Sequence, residues 1–426
     1  MEKLKYDDVF VPNDQPIYTY IPRDSKKLEI DLRDHIDTKN IVISISGPSK
    51  TGKTVLFRQM LDHDLIIPIP GVSVKDEGDF WSSVFAWMGE PISVVRTNTS
   101  TVAGELSANG KAGFNAVIAK AGVGGGAKIS YARQTGEAMH LSFNPFEQII
   151  KEIGNSKFVI FVDDFHYIDS DTQPQIARIL KALAENGVKI CTASVPHKSD
   201  DVVRANPELR GRLAAIDVES WSQEELAEIG RVGFPLLKVD VDDSINTRLA
   251  SEAFGSPQLM QALCMNLCRN LNVRTELDFM TKFEVSEEVF ASTMEDTSKL
   301  ANFASLVRGL HDGPKKHGKD RKIFSFSDGS RGDVYRATLL AISRGDAKRD
   351  FSYDEFMGRV RNICLGEAPT GSSVQGALSH MHNIAHEMST SPVLDWEEDN
   401  LTITDPYFAF YLRASRQLEK IKRTDQ

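Results

Sequence analysis

The sequence predicts an α/β fold: a parallel sheet with helices on both faces, followed by a helical segment and a small C-terminal domain of three helices and a hairpin. Three observations carry this reading. Short apolar runs alternate with helical patterns through the first 220 residues, as in a sheet buried on both faces. One of those runs, Ile41–Ser46, leads through the glycine-framed segment Gly47–Thr54 into a helix. After Trp221 the strand pattern fades and a 3.6-residue period takes over.

Taken in order, residues 1–40 read as an extended, proline-punctuated lead-in and then a short amphipathic helix carrying Leu28, Leu32 and Ile36. Strand Ile41–Ser46 and a helix from Val55 to about Asp62 flank the glycine segment. Leu65–Ile69 reads as a strand, and Phe80, Trp81, Val84 and Trp87 mark the next helix. Residues 97–136 change character to Gly, Ala, Ser and Thr, and no acid occurs from Leu106 to Gly136. A hairpin around Gly122–Gly126, a disordered insertion, and an assembly, nucleic-acid or ligand-sensing element are all open readings there. Regular patterning resumes with a helix near Pro145–Ile153, strand Phe158–Val162, helix Thr172–Asn186, strand Val188–Ser194 and strand Ala214–Val218. Helices follow at 224–232, 243–254 and 257–271. Residues 333–343, 353–363 and 372–388 are three more, before a hairpin of 393–396 and 401–403, which is the sketch of a winged helix. The expected domains are 1–220 with an insertion at about 97–136, a helical lid over 221–310, and a basic linker with the winged domain over 311–426.

The chain has 426 residues and a formal net charge of −10, so it lacks the overall basic footprint that non-specific nucleic-acid binding uses. Its four cysteines form no CxxC pair, which fits core packing and a reducing compartment. The charged N-terminus shows no signal-peptide pattern, and no apolar run approaches the roughly 20 residues that span a bilayer. A cytoplasmic protein without membrane contact is the expectation.

Gly47-Pro48-Ser49-Lys50-Thr51-Gly52-Lys53-Thr54 matches GxxxxGK[ST] in full. In such a loop the glycines let backbone N–H groups turn inward to phosphate oxygens, and the helix that follows from Val55 adds its positive dipole end. Lys53 is expected to reach the β- and γ-phosphates of ATP, and Thr54 to hold Mg²⁺ through its hydroxyl. The competing reading is a glycine-rich turn arising by chance. Its position between a strand and a helix argues against that. The strand Phe158–Val162 ends in Asp163-Asp164, which places two carboxylates at the edge of the sheet where the phosphates would lie. Asp163 is the expected partner of Mg²⁺, through water. Asp164 is the expected residue to orient or deprotonate the attacking water. An ordinary acidic strand end is the alternative.

With these residues in place, the chain resembles the AAA+ and STAND ATPases, in particular the branch of origin-recognition-type initiators and archaeal-type ATPases. Tyr18-Thr19-Tyr20-Ile21-Pro22-Arg23 resembles the segment that packs on adenine, which implies that Tyr20 is a nucleotide contact. Gly255-Ser256-Pro257 resembles the lid motif whose proline, here Pro257, lies near the nucleotide. Asp405-Pro406-Tyr407-Phe408 resembles the end of the winged helix in the archaeal-type members. Val195-Pro196-His197 departs from the arginine that many STAND proteins carry there, so Thr192 and Ser194 are both candidates to sense the γ-phosphate. The resemblance also implies that the stretch Arg204–Arg212 faces a neighbouring subunit. On that basis one of Arg204, Arg210 and Arg212, with Arg210 and Arg212 the residues to test, is a candidate arginine finger, against the plainer reading of a solvated loop.

Weaker constellations remain. His380, His382 and His386 lie on one helix, but a metal site there would need converging acids or cysteines. Lys315, Lys316, Lys319, Arg321 and Lys322 form either a contact for a partner or DNA backbone, or a flexible solvated linker. Three functions compete. The first is an ATP-hydrolysing switch, a homo- or hetero-oligomer controlling a separate effector or sensor protein, with stress or anti-phage defence as its setting by analogy. The second is a DNA-directed ATPase resembling an initiator or transposition regulator. The third is a nucleotide-binding module without turnover, which intact Lys53, Thr54, Asp163 and Asp164 argue against.

Overall fold

A computed structural model describes residues 3–23, 26–89, 92–95, 103–106, 141–195, 209, 211–314, 320–389 and 392–421. The chain divides into two compact units. A sheet unit comprises residues 22–48 and 53–219, and a helical unit comprises 1–21, 49–52 and 220–426.

The sheet unit runs α1 (Leu28–Asp37), β1 (Val42–Ser46), α2 (Lys53–Met60), β2 (Ile66–Pro70), α3 (Glu77–Trp87), α4 (Pro145–Ile153), β3 (Val159–Asp163), α5 (Gln173–Glu185), β4 (Lys189–Ser194) and β5 (Leu213–Asp217). The five strands lie in the order β2-β3-β4-β1-β5, all parallel. Alternation along each strand divides the apolar residues between two faces. Ile43, Ile45, Val159, Phe161, Cys191 and Ala193 pack with α1 and α2 through Leu32, Leu56 and Phe57. Val42, Ile67, Ile160, Val162 and Ile190 pack with α3, α4 and α5 through Trp81, Ile149 and Leu180. Phe57 and Phe161 stack with ring centroids 4.2 Å apart. The sheet is therefore buried on both sides, as its apolar runs predict. A separate antiparallel sheet joins residues 92–95, 103–106 and 141–143. The hairpin reading around residues 122–126 falls outside the described residues.

The helical unit contains α6 (Gln223–Leu236), α7 (Asp243–Glu252), α8 (Pro257–Asn270), α9 (Glu287–Ser298), α10 (Ala304–Asp312), α11 (Val334–Ser343), β6 (Asp350–Ser352), α12 (Tyr353–Ile363), α13 (Gly371–Met388), β7 (Asp395–Glu397), β8 (Asn400–Thr402) and α14 (Pro406–Ala414). The last three strands pair antiparallel in the order β6-β8-β7. One apolar core joins these helices to Val9 and Phe10, whose ring meets Phe234 at 5.1 Å. Cys264 and Cys268 are fully buried in this core, and burial pushes both thiols up, Cys268 to about 12.

Helices α9, α10 and α14 escape the periodicity reading. The buried contacts of α9 are polar: Thr293 and Thr297 hydroxyls donate to Val289 O and Thr293 O at 2.8 Å, while Asn266 Nδ2 donates to Thr297 Oγ1 at 3.0 Å. The apolar α9 residues Val289, Phe290 and Met294 are only partly buried against the core, and the fully buried positions beside them are polar, so the apolar stripe is broken. Among the described residues, no helix is long and apolar enough to cross a membrane.

Candidate functional site: the phosphate loop and the acid pair

Within the sheet unit, β1 delivers the chain at its carboxyl end to Gly47, and β3 delivers Asp163 at the same edge of the sheet. Parallel α/β sheets bind ligands outside this edge, because helix N-termini gather there. Gly47 has φ 156°, and a Cβ there would lie 2.2 Å from Val218 O, so only glycine lets the loop leave the strand. Helix α2 begins at Lys53, two residues before the expected start, so Lys53 and Thr54 already belong to its first turn.

Lys53 is buried, and its Nζ donates to Gly47 O at 2.7 Å and Pro48 O at 3.0 Å. The ammonium is thus held over the start of the loop. Thr54 Oγ1 donates to Asp163 Oδ2 at 2.8 Å. Two oxygens converging at this distance are hard donors suited to Mg²⁺. Asp164 follows in the left-handed region at φ 53°, which an Asp tolerates better than most residues. Burial raises the pKa of its carboxyl above the ordinary range, and the neighbouring charge of Asp163 adds to this, while Lys53 opposes it. Gly71, at the end of β2, permits the approach of this turn: a Cβ on it would lie 2.2 Å from Asp164 O. The sequence offered no sign of that role, because the close approach joins two distant loops.

Of the two proposed sensors on β4, Thr192 Oγ1 donates to Ile43 O at 3.4 Å. Ser194 sits in register with Ser46, and its buried Oγ has no hydrogen-bond partner among the described residues. A buried hydroxyl without a partner is costly unless a ligand or water supplies one. Together with the Thr54–Asp163 pair, it fits a site that takes phosphate and Mg²⁺.

Arg212 lies just before β5, at the opposite edge of the sheet from the loop, and forms an ion pair with Glu185. Arg204, Arg210, Pro196 and His197 fall outside the described residues, as do Lys315, Lys316 and Lys319. Arg321 and Lys322 are paired with Asp333 and Glu367.

Within the helical unit, the tip of the loop, Ser49–Gly52, is held by four side chains. Gly255 at φ 68° turns the chain into α8, Ser256 caps that helix by accepting from Leu259 N, and Pro257 fills its first position. The same Ser256 hydroxyl donates to Lys50 O at 3.0 Å, and a Cβ on Gly52 would lie 3.9 Å from Pro257 Cγ. Asp405-Pro406 repeats the device at α14. Asp405 caps the helix at Tyr407 N and receives Lys50 Nζ on both carboxylate oxygens at 2.9 Å, with the ammonium 4.4 Å from the Tyr407 ring centroid. Trp221 Nε1 donates to Thr51 O at 2.9 Å. Arg349 donates to Ser49 O at 3.1 Å and Ser220 Oγ at 2.9 Å. Its burial lowers the pKa of the guanidinium, while Asp350 and Asp405 hold it up. Tyr20 is half-buried in this unit.

Sequence motifs flagged Gly255–Pro257 and Asp405–Pro406, but Arg349 and Trp221 carried no signal. Their partners are backbone carbonyls, which any residue supplies. We expect Arg349→Ala to cost about 2–4 kcal/mol, because it leaves Ser49 O and Ser220 Oγ without this buried donor. Calorimetry should show a midpoint lowered by several degrees. An unchanged midpoint would show that the guanidinium holds nothing.

No family model matches the sequence, and no curated protein matches it. Solved structures do. A Walker-type ATPase of Pyrococcus abyssi is 14% identical over 95% of this chain and 99% of that one, with a TM-score of 0.52. The ORC2 protein of Aeropyrum pernix, in ADPNP–ADP complexes, is 12% identical over 98% of this chain and 97% of that one, with a TM-score of 0.50. Likeness at such identity is likeness of fold. The fold is that of a P-loop ATPase, a parallel sheet with helices on both faces and a helical C-terminal part. More particularly, it resembles the origin-recognition-like AAA+ ATPases, as the motifs led us to expect.

Proposed function

We propose that the protein binds ATP on Gly47–Thr54, hydrolyses it, and uses the nucleotide state as a switch. The observation that carries this is the convergence of Lys53, Thr54, Asp163 and Asp164 at one edge of the sheet, with Thr54 and Asp163 2.8 Å apart. Backbone N–H groups of the loop would take phosphate oxygens, and Lys53 would exchange its two carbonyl partners for the β- and γ-phosphates. Thr54 and Asp163 would hold Mg²⁺, which neutralises charge on the phosphates. Asp164 orients the attacking water and accepts its proton, a task that a carboxylate of raised pKa suits. Ser194 supplies a hydroxyl to the terminal phosphate or that water.

The switch reading rests on the loop tip. Lys50 takes Asp405 on its ammonium and Ser256 on its carbonyl, so a nucleotide that reorders this tip would bear on α8 and α14 of the helical unit. A 221–310 lid and a 311–426 winged domain are the parts we assign to that response. A separate effector or sensor and an oligomer are the partners we propose. The second reading, DNA as partner, gains little: α13 has no Lys or Arg along its length, and Arg321 and Lys322 are already paired.

ATP hydrolysis by wild type beside Lys53→Ala tests the proposal. Wild type should turn over ATP with Mg²⁺ and lose activity with a chelator. Lys53→Ala should lose nucleotide-induced thermal stabilisation along with activity. Equal, chelator-insensitive rates in both proteins would refute hydrolysis at this loop.

A further inference from the structure

The histidines of α13 were short of an acid by sequence alone, and the fold supplies one. His382 and His386 stand four residues apart on the helix, with ring centroids 4.2 Å apart. Asp395, at the start of β7, turns its carboxylate to both: Oδ1 lies 2.8 Å from His386 Nε2 and 3.5 Å from His382 Nδ1. One ligand atom from each of the three lies within 4.8 Å of the other two. We infer that His382, His386 and Asp395 form a binding site for a borderline divalent cation of the Zn²⁺ class, clipping α13 to the β7–β8 hairpin.

The chemistry fits that class. Two imidazoles and one carboxylate suit Zn²⁺ better than Mg²⁺ or Ca²⁺, which prefer oxygen alone. Tetrahedral ligands at about 2.0–2.1 Å from the ion stand roughly 3.3 Å apart, and the 2.8 and 3.5 Å separations bracket that spacing. His386 is the most exposed of the three, so water can reach a fourth position. His382 Nδ1 now accepts from Trp396 N at 3.2 Å, a neutral bond that metal ligation through this atom would replace. His380 is not part of the set: its Nδ1 shares a 2.8 Å hydrogen bond with Tyr335 Oη. The inference does not rest on ATP hydrolysis, since none of the three residues belongs to the phosphate loop or the acid pair.

The test is Zn²⁺ titration of the full chain against a chromophoric chelator, with excess Mg²⁺ and no nucleotide. Wild type should take up one Zn²⁺ per chain at this site and gain in thermal midpoint, and His380→Ala should behave alike. His386→Ala and Asp395→Asn should each bind at least about tenfold more weakly, and His382→Ala/His386→Ala should lose the site and its thermal gain. Circular dichroism without metal checks that the variants fold, and His386→Gln stands in where His386→Ala does not. Co²⁺ in place of Zn²⁺ should give visible absorption of a four-coordinate site in wild type and in His380→Ala, and none in His382→Ala/His386→Ala. No stoichiometric uptake by wild type, or uptake undiminished in the double variant, overturns the inference.

Discussion

Asp164→Asn is expected to bind ATP as wild type does and to hydrolyse it roughly 10²–10⁴-fold more slowly. Asparagine keeps the side chain's shape and tolerates the left-handed backbone at φ 53°, so the loop and Lys53 stay in place. What it lacks is an oxygen that can take a proton from water. The same substitution should stabilise the protein at neutral pH in the absence of nucleotide and Mg²⁺. The Asp164 carboxyl has its pKa raised by burial and by Asp163. In the native state it therefore keeps its proton to higher pH than in the unfolded chain. Stability then falls as pH rises from the unfolded value through the native one, and above that window the buried charge is a standing cost. Asparagine removes the charge and the cost. Single-turnover hydrolysis, affinity for a slowly hydrolysed analogue, and thermal midpoints at pH 7 measure the three parts. A variant that hydrolyses ATP at the wild-type rate would remove Asp164 from the mechanism.

Gly47→Ala should be a severely damaging single methyl in the sheet unit. Its Cβ would stand 2.2 Å from Val218 O and 3.0 Å from Val218 C, which are backbone atoms that no rotamer change can move aside. The chain beyond Val218 would have to shift, or β1 would have to withdraw from β5. We expect a loss on the order of 3 kcal/mol or more. For a unit of this size, that corresponds to a midpoint lowered by roughly 6–12 °C. Gly89→Ala is the control. Gly89 has φ 81°, with nothing within 4 Å of the added Cβ, so it should show only the left-handed penalty of about 1–2 kcal/mol. If the two variants melt alike, backbone conformation rather than the clash governs the loop's exit from β1.

Much of the fold was legible because its signals are local. Apolar runs such as Ile41–Ser46 and Phe158–Val162 declare strands buried on both faces, and GxxxxGK[ST] declares a loop whose backbone must bend inward. The helix expected from Pro257 does start there, behind the Ser256 cap, whereas the helix start at Pro406 was not read from the sequence. Each signal is a property of a few neighbouring residues, so the sequence by itself determined the five strands of the parallel sheet, the phosphate loop and the order of most helices. It could not show α9, where Thr293 and Thr297, bonded to Asn270 and Asn266, take the buried positions beside the partly buried Val289, Phe290 and Met294.

Tertiary structure decided which distant groups meet. It brought Thr54 to Asp163 across 109 positions and Arg349 to Ser49 across 300. It laid Gly71 against Asp164, left the Ser194 hydroxyl without a partner among the described residues, and supplied Asp395 to two histidines that lacked an acid. The reason is physical. Hydrogen bonds, ion pairs and ligand sets depend on distances of about 3 Å, and only the packing of strand on strand and helix on helix sets those distances between residues far apart in the chain.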